Sequence, residues 1–318
     1  MTTPLIEVEG LSKQFDLGHG IKLHAVDKVS FAIEPGETLG LVGESGCGKS
    51  TLGRLLVRMY DATEGDFRFA GESMAGKMGT SRRKSYARLA QMIFQDPYAC
   101  LNPRMTVGDI IAEGPDIHGL WPRHERQDRI AAWLERVGLV AEHAYRFPHE
   151  FSGGQRQRIG LARALALEPK FVVCDEPISA LDVSIQAQVV TLLQELQREL
   201  GLTYLFIAHG LSMVRYISSR MAVMYLGQLV EIGPSNEVFF RPLHPYTRAL
   251  VASNPLPDPV RERSRPEQLL TGELPSPLNP PPGCRFSARC PLVDERCRRE
   301  TPVMRQIEKG RDVACHKV

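Results

Sequence analysis

The sequence predicts an α/β fold: a parallel-sheet core, an antiparallel strand-rich edge, an inserted helical subdomain and a small cysteine-bearing tail. Three apolar runs predict it. Thr38-Leu39-Gly40-Leu41-Val42 reads as a buried strand and leads into Gly43-Glu44-Ser45-Gly46-Cys47-Gly48-Lys49-Ser50-Thr51. Phe171-Val172-Val173-Cys174 is a second buried strand, ending on Asp175 and Glu176. Thr203-Tyr204-Leu205-Phe206-Ile207-Ala208 is a third, ending on His209. Helical stretches separate these strands, the alternation that builds a parallel sheet. Polar residues at the strand ends fall where open α/β sheets bind ligands.

The loop after the first run has the pattern GxxxxGKS between a strand and a helix, the helix being carried by Leu52, Leu55, Leu56, Val57 and Met59. Glycines let backbone N–H groups turn toward a phosphate without Cβ clashes. The helix N-terminus adds its dipole and unpaired donors. Lys49 can bridge the terminal phosphates of a nucleotide, and the Ser50 hydroxyl can ligate Mg²⁺.

Length and composition bound the rest. The chain has 318 residues, enough for one large domain and a smaller one. It is 43% hydrophobic and 24% charged, which supports a globular core. A net charge of +2 makes no demand for nucleic acid. No run of about eighteen apolar residues is present, so the sequence predicts no membrane span. Met1–Gly10 has neither a basic nor an apolar leader region, so a cytosolic chain with reduced cysteines is expected.

In order along the chain, residues 5–10, 22–33 and 64–70 read as short strands of an antiparallel edge, with turn residues between them. Phe15 lies ahead of the glycine loop and can stack on a purine ring or simply pack. Residues 76–90 carry Lys77, Arg82, Arg83, Lys84 and Arg88, read as a solvated helix face because no aromatics are interleaved. Gln91–Ile93 form a strand, and Gln95 stands where it stops, facing a ligand or capping the turn. Residues 105–150 regain helical periodicity in Ile110, Ile111, Ile130, Trp133, Leu134 and Val137.

That helical insertion ends at Phe151-Ser152-Gly153-Gly154-Gln155. Ser152 is a good N-cap, and the glycines leave backbone donors bare. Asp175 can hold Mg²⁺ and Glu176 can polarise a water. Ser179-Ala180-Leu181-Asp182 then lead to a helix over about residues 185–200, with Ile185, Val189, Leu192, Leu193 and Leu196 on one face.

In this order the pieces resemble the ATP-binding subunit of an ATP-binding-cassette (ABC) transporter, a P-loop ATPase with a RecA-like core, and the resemblance spans essentially the whole chain. Residues 43–50 resemble the Walker A loop, Gln95 the Q-loop, residues 151–155 the LSGGQ signature, residues 171–176 Walker B with its catalytic glutamate, Ser179–Asp182 the D-loop and His209 the switch histidine. Phe15 falls at the family's adenine-stacking aromatic. The resemblance implies that ATP with Mg²⁺ sits on Phe15, Gly43, Ser45, Gly46, Cys47, Gly48, Lys49, Ser50, Thr51, Gln95 and Asp175, with Ser50, Gln95 and Asp175 near the metal. It implies catalysis by Glu176, His209 and Gln95, with Asp182 in the D-loop. It also implies that Ser152, Gly153, Gly154 and Gln155 serve the nucleotide of a partner ATPase. Phe151 replaces the usual Leu, and Ala208 and Gly210 flank the histidine where Ser and Asp are commoner.

The tail narrows the resemblance. Arg241–Leu250, with His244-Pro245-Tyr246, and Gly272–Cys284 resemble dipeptide and oligopeptide importer ATPases. That implies a peripheral subunit on the cytoplasmic face of the inner membrane. Its implied partners are a second ABC ATPase, two membrane-spanning permease subunits and an extracytoplasmic solute-binding protein. The solute would be a peptide; related systems carry glutathione or nickel. The expected domains are residues 5–250 for the ATPase, with about 96–158 helical, and 251–318 for the tail. A soluble ABC ATPase of repair or translation would bring tandem cassettes or sustained heptads, which are absent, and an exporter would not carry this tail.

Cys284, Cys290, Cys297 and Cys315 are separated by five, six and seventeen residues. A segment this short buries little core, so a metal would explain its folding. The paired spacing usual for zinc is absent. Four cysteines also suit an iron–sulfur cluster, and spacing does not decide. The resemblance leans to a 4Fe–4S cluster over zinc. Cys47, Cys100 and Cys174 read as small residues of core or loop.

Overall fold

The computed structural model describes residues 3–179, 181–253 and 275–318. Two sheets organise it. The first is antiparallel, in the order β2-β1-β4-β5, from β1 (Ile6–Asp16), β2 (Lys22–Ile33), β4 (Glu64–Phe69) and β5 (Glu72–Ser73). β1 is longer than the predicted 5–10. Gly10, in left-handed backbone, and register shifts between Val8 and Lys13 let the strand bulge and continue to Phe15.

The second sheet has the order β11-β12-β10-β9-β3-β8-β7-β6. Its parallel part comprises β9 (Arg220–Tyr225), β3 (Thr38–Val42), β8 (Thr203–Ile207), β7 (Phe171–Asp175) and β6 (Ala90–Ile93). β3, β7 and β8 are buried at every position, as strands covered on both faces must be. Side-chain alternation sends Val42, Val172, Cys174, Tyr204 and Phe206 into one core and Leu39, Leu41, Phe171, Val173, Leu205 and Ile207 into the other. Leu41 and Asp175 both pair with Ile207, so the three strands end level. The glycine loop, Asp175-Glu176 and His209 therefore emerge at one edge.

Residues 96–158 contain the helices Val107–His118 and Arg126–Arg136, packed through Ile110, Ile111, Ile130, Trp133 and Leu134. The next helix, Gly153–Leu165, crosses the predicted boundary near 158 and carries Ile159, Leu161, Ala162 and Leu165 into the core. The helix Val183–Leu200 buries Val189, Val190, Leu193 and Leu196.

The tail departs from the expected separate cysteine domain. Antiparallel pairing continues the main sheet through β10 (Gln228–Pro234), β12 (Arg311–Val313) and β11 (Arg305–Glu308). A fully buried ion pair fixes the junction: Arg311 Nη2 donates to Glu231 Oε1 over 2.8 Å. The described part of the tail is thus annexed to the ATPase core rather than folded beside it. Gly272–Leu274 of the importer-like stretch lie outside the described residues.

Candidate active site

The glycine loop is shaped by backbone that side chains would block. Gly48 has φ 106°, and a Cβ there would sit 2.0 Å from the Ala25 carbonyl oxygen. The helix Lys49–Leu56 starts directly after it, which points its free N–H groups into the loop. Ser45 and Gly46 are exposed at the crest, while Cys47 and Lys49 are buried beneath. Burial pushes the Cys47 thiol up, and Lys49 opposes that shift. Lys49 Nζ donates to the carbonyls of Gly43 (2.8 Å) and Glu44 (3.0 Å), so the ammonium sits inside the curl of the loop. Thr51 stands in the first helical turn.

Ser50 Oγ donates to Asp175 Oδ1 over 2.8 Å, joining loop to strand end. Asp175 is 1% exposed, and burial pushes its carboxyl above the usual range against the opposing effects of Ser50, Arg54 and Lys49. A desolvated carboxylate beside a hydroxyl is a donor pair that a divalent cation would stabilise, so the residues present fit Mg²⁺.

Glu176 is held at φ 48°, left-handed backbone for a non-glycine residue, and its N–H donates to Ile207 O. Its carboxylate is buried and takes two neighbours. Gln95 Nε2 donates to Oε2 over 2.7 Å, and His209 Nε2 lies 2.7 Å from Oε1. Three residues from separate strand ends therefore meet on one carboxylate. A cleft of about 430 Å³ opens beside them, lined by Arg54, Phe94, Gln95 and Asp175 among others. The cluster can bind a phosphate chain, hold a cation and orient a water.

Phe15 lies near the end of β1, half-buried, edge-on to Tyr60 with centroids 5.3 Å apart and Lys13 Nζ 5.1 Å from its ring. Ser152–Gln155 make none of the contacts above. Ser152 caps the helix Gly153–Leu165: its Oγ accepts from Gln155 N, and Gln155 Oε1 accepts from Ser152 N. Ser152 is exposed, and a Cβ on Gly154 would lie 2.8 Å from Ile185, so glycine lets this helix start sit against the next. Asp182 is exposed and precedes the helix Val183–Leu200.

Sequence reasoning missed a second layer under the loop. Tyr246, fully buried, accepts the Glu44 N–H on its hydroxyl at 2.9 Å. His244 orients this tyrosine: its Nδ1 accepts from Tyr246 N, and its own N–H donates to Glu231. Arg289 Nη1 donates to the Glu44 carboxylate over 2.8 Å. The HPY stretch was the available signal, since a histidine preceding Pro at a helix start is a capping position. Nothing in the sequence linked Arg289 to Glu44.

The four tail cysteines, expected to hold a cluster, lie near one another. Cys284 N–H donates to Cys297 O over 2.8 Å, and Cys284 lies in the field of Cys290, Cys297 and Cys315. Burial pushes the Cys284 thiol up to about 11. Yet among the described residues no three His, Cys, Asp or Glu side chains form a group able to hold a metal ion. Strand pairing and the Arg311–Glu231 pair join this segment to the core. No helix among the described residues is long and apolar enough to cross a membrane.

Comparison with known proteins agrees with this geometry. Residues 26–179 match the family model of ABC transporters, and residues 230–297 match that of the oligopeptide/dipeptide transporter C-terminal region. The putative oligopeptide transport ATP-binding protein YkfD of Bacillus subtilis is 56% identical over 98% of this chain and 95% of its own. The oligopeptide transport ATP-binding protein OppF of Escherichia coli is 50% identical over 99% and 96%. Among solved structures, cbiO1 of Clostridium perfringens, part of the ABC transporter complex cbiONQ, superposes with a TM-score of 0.66 at 26% identity, covering 75% of this chain and 91% of that one. The ATP-binding cassette MJ0796, a dimer bound to ADP and phosphate, gives 0.66 at 25% identity, covering 72% and 98%. This chain belongs to the ABC transporter ATP-binding proteins, in the branch that carries the oligopeptide/dipeptide transporter C-terminal region.

Proposed function

We propose that this ABC ATPase is the motor subunit of an oligopeptide importer, acting at the cytoplasmic face of a membrane through two permease subunits, a second ATPase and an external solute-binding protein. The observation that carries the reading is the division of the site. Gln95, Glu176 and His209 meet beside the Ser50–Asp175 pair, while the exposed helix start at Ser152 stands apart from them. One chain thus holds a hydrolytic half and offers a second anion-binding helix end outward, where another ATPase's nucleotide can meet it.

In this reading Lys49 and the loop N–H groups bind the phosphates and Phe15 stacks on the adenine. Ser50, Asp175 and Gln95 would hold Mg²⁺, which neutralises charge on the phosphates when bound. Glu176 accepts a proton from the attacking water, Gln95 and His209 fix its carboxylate, and Asp182 belongs to the contact between the two ATPases. Closing and reopening of that contact works the permeases.

A boundary near residue 250 between the ATPase segment and a tail whose strands join the ATPase sheet belongs to the same proposal. So does a 4Fe–4S cluster on Cys284, Cys290, Cys297 and Cys315, supported by the convergence of four thiols and tested by iron and sulfide assay after anaerobic purification.

Affinity purification of the tagged chain from gently solubilised membranes tests the assembly. Two multi-span permeases and a second ATPase are the expected company. Recovery with ribosomal or DNA-associated chains only would overturn the transport reading.

A further inference from the structure

The residue between the loop's first glycine and its crest, Glu44, is held at all its polar groups. Its N–H donates to the buried Tyr246 hydroxyl at 2.9 Å, its carbonyl accepts from Lys49 at 3.0 Å, and its carboxylate accepts from Arg289 at 2.8 Å. Arg289 is itself buried, its side chain 8% exposed against 26% for Glu44. It lies in the short 3₁₀ helix Ser287–Arg289, directly before Cys290. A second strut comes from the same segment: Arg285 donates to Asp27 Oδ2 and to Leu226 O, and the adjoining Gly227 N–H donates to the loop carbonyl of Cys47 over 2.8 Å. Phe286, between the two arginines in sequence, packs on Tyr246 and Tyr225 with centroids 5.5 and 5.3 Å apart.

The electrostatics give this arrangement a direction. A carboxylate in a loop that receives a triphosphate repels it, by an amount that grows as water is excluded. Arg289 both neutralises Glu44 and fixes where it points. We propose that Arg289 is a positioning residue for the nucleotide loop, acting through Glu44, so that the seating of the cysteine-bearing tail segment sets the affinity for MgATP. The proposal rests on the ATP-site reading and adds a regulator to it: whatever unseats residues 284–290 loosens the nucleotide.

The test is MgATP titration of the full chain, with Lys49→Ala as the variant that must lose binding. Arg289→Ala is expected to weaken MgATP binding about fivefold or more, the effect of one partly screened charge-assisted hydrogen bond. Arg289→Lys, which keeps the charge, should recover most of the loss. The double variant Arg289→Ala/Glu44→Gln should bind MgATP several-fold tighter than Arg289→Ala alone, because the unpaired carboxylate is gone. General loosening of the fold would make the two losses multiply instead. Melting curves accompany each variant, and if Arg289→Ala does not fold, Arg289→Gln replaces it. Wild-type affinity in the arginine variant, or no recovery in the double variant, would overturn the proposal. Failure of the wild-type chain itself to bind MgATP would instead overturn the ATP-site reading on which it rests.

Discussion

The nucleotide edge and the tail are built on opposite principles. At the nucleotide edge each chemical group sits at the end of a short apolar strand, and the strand places it: Gln95 after β6, Asp175 and Glu176 at β7, His209 after β8. In the tail, position comes from partners far away in sequence. Arg289 reaches Glu44 across 245 residues, Arg285 reaches Asp27 across 258, and β12 joins β10. Chemistry written in contiguous residues survives being read one stretch at a time, whereas support written in distant pairs does not.

The largest effect sharpens the first half of that contrast. On its proposed role, Glu176→Gln should lower steady-state ATP turnover by about 10²–10⁴-fold while MgATP affinity stays within about threefold, since the water alone loses its base. Turnover near wild type in a phosphate-release assay would remove Glu176 from that role.

The next addresses the tail. Arg311→Ala leaves the Glu231 carboxylate buried without its cation, a change that costs about 3–5 kcal/mol. Denaturant unfolding should show this as a fall in midpoint for the core as well, because β12 and β10 share the sheet. A loss confined to the tail's own signal would restore the separate domain that the sequence predicted.

The smallest per step is a pH effect, spread over several pH units. Burial holds the His244 imidazole down at about 3, against 6.5 for an exposed histidine. As pH falls below 6.5, the unfolded chain takes the proton first. The stability His244 contributes is thus full above that pH and is lost progressively toward 3. Each pH unit in this window removes about 1.4 kcal/mol. His244→Asn keeps a side-chain acceptor for the Tyr246 N–H and has nothing to titrate, so its stability should fall less steeply on acidification. Parallel profiles for the two chains would show that the imidazole is not sealed from water.

The sequence made the α/β core and the residues at its strand ends legible because each is a local pattern: an apolar run, a glycine where Cβ cannot fit, a capping serine. It did not reveal that Tyr246 supports the loop, because an aromatic beside proline reads the same whether its hydroxyl meets water or a backbone N–H. For a related reason it did not show how the tail docks. Four thiols in a short segment draw the reading to a metal, whereas the strand and the ion pair that dock the described segment have partners, β10 and Glu231, outside it.

The backbone of Glu176 carries one more consequence. Left-handed φ at a side chain of this size costs about 1–3 kcal/mol, and the surrounding sheet must absorb it. Glycine or asparagine would sit there with less strain and would leave no carboxylate for Gln95 and His209 to hold. At this position robustness and turnover pull in opposite directions. A programme that ranks variants of this ATPase by melting temperature alone will therefore tend to enrich chains that no longer turn over.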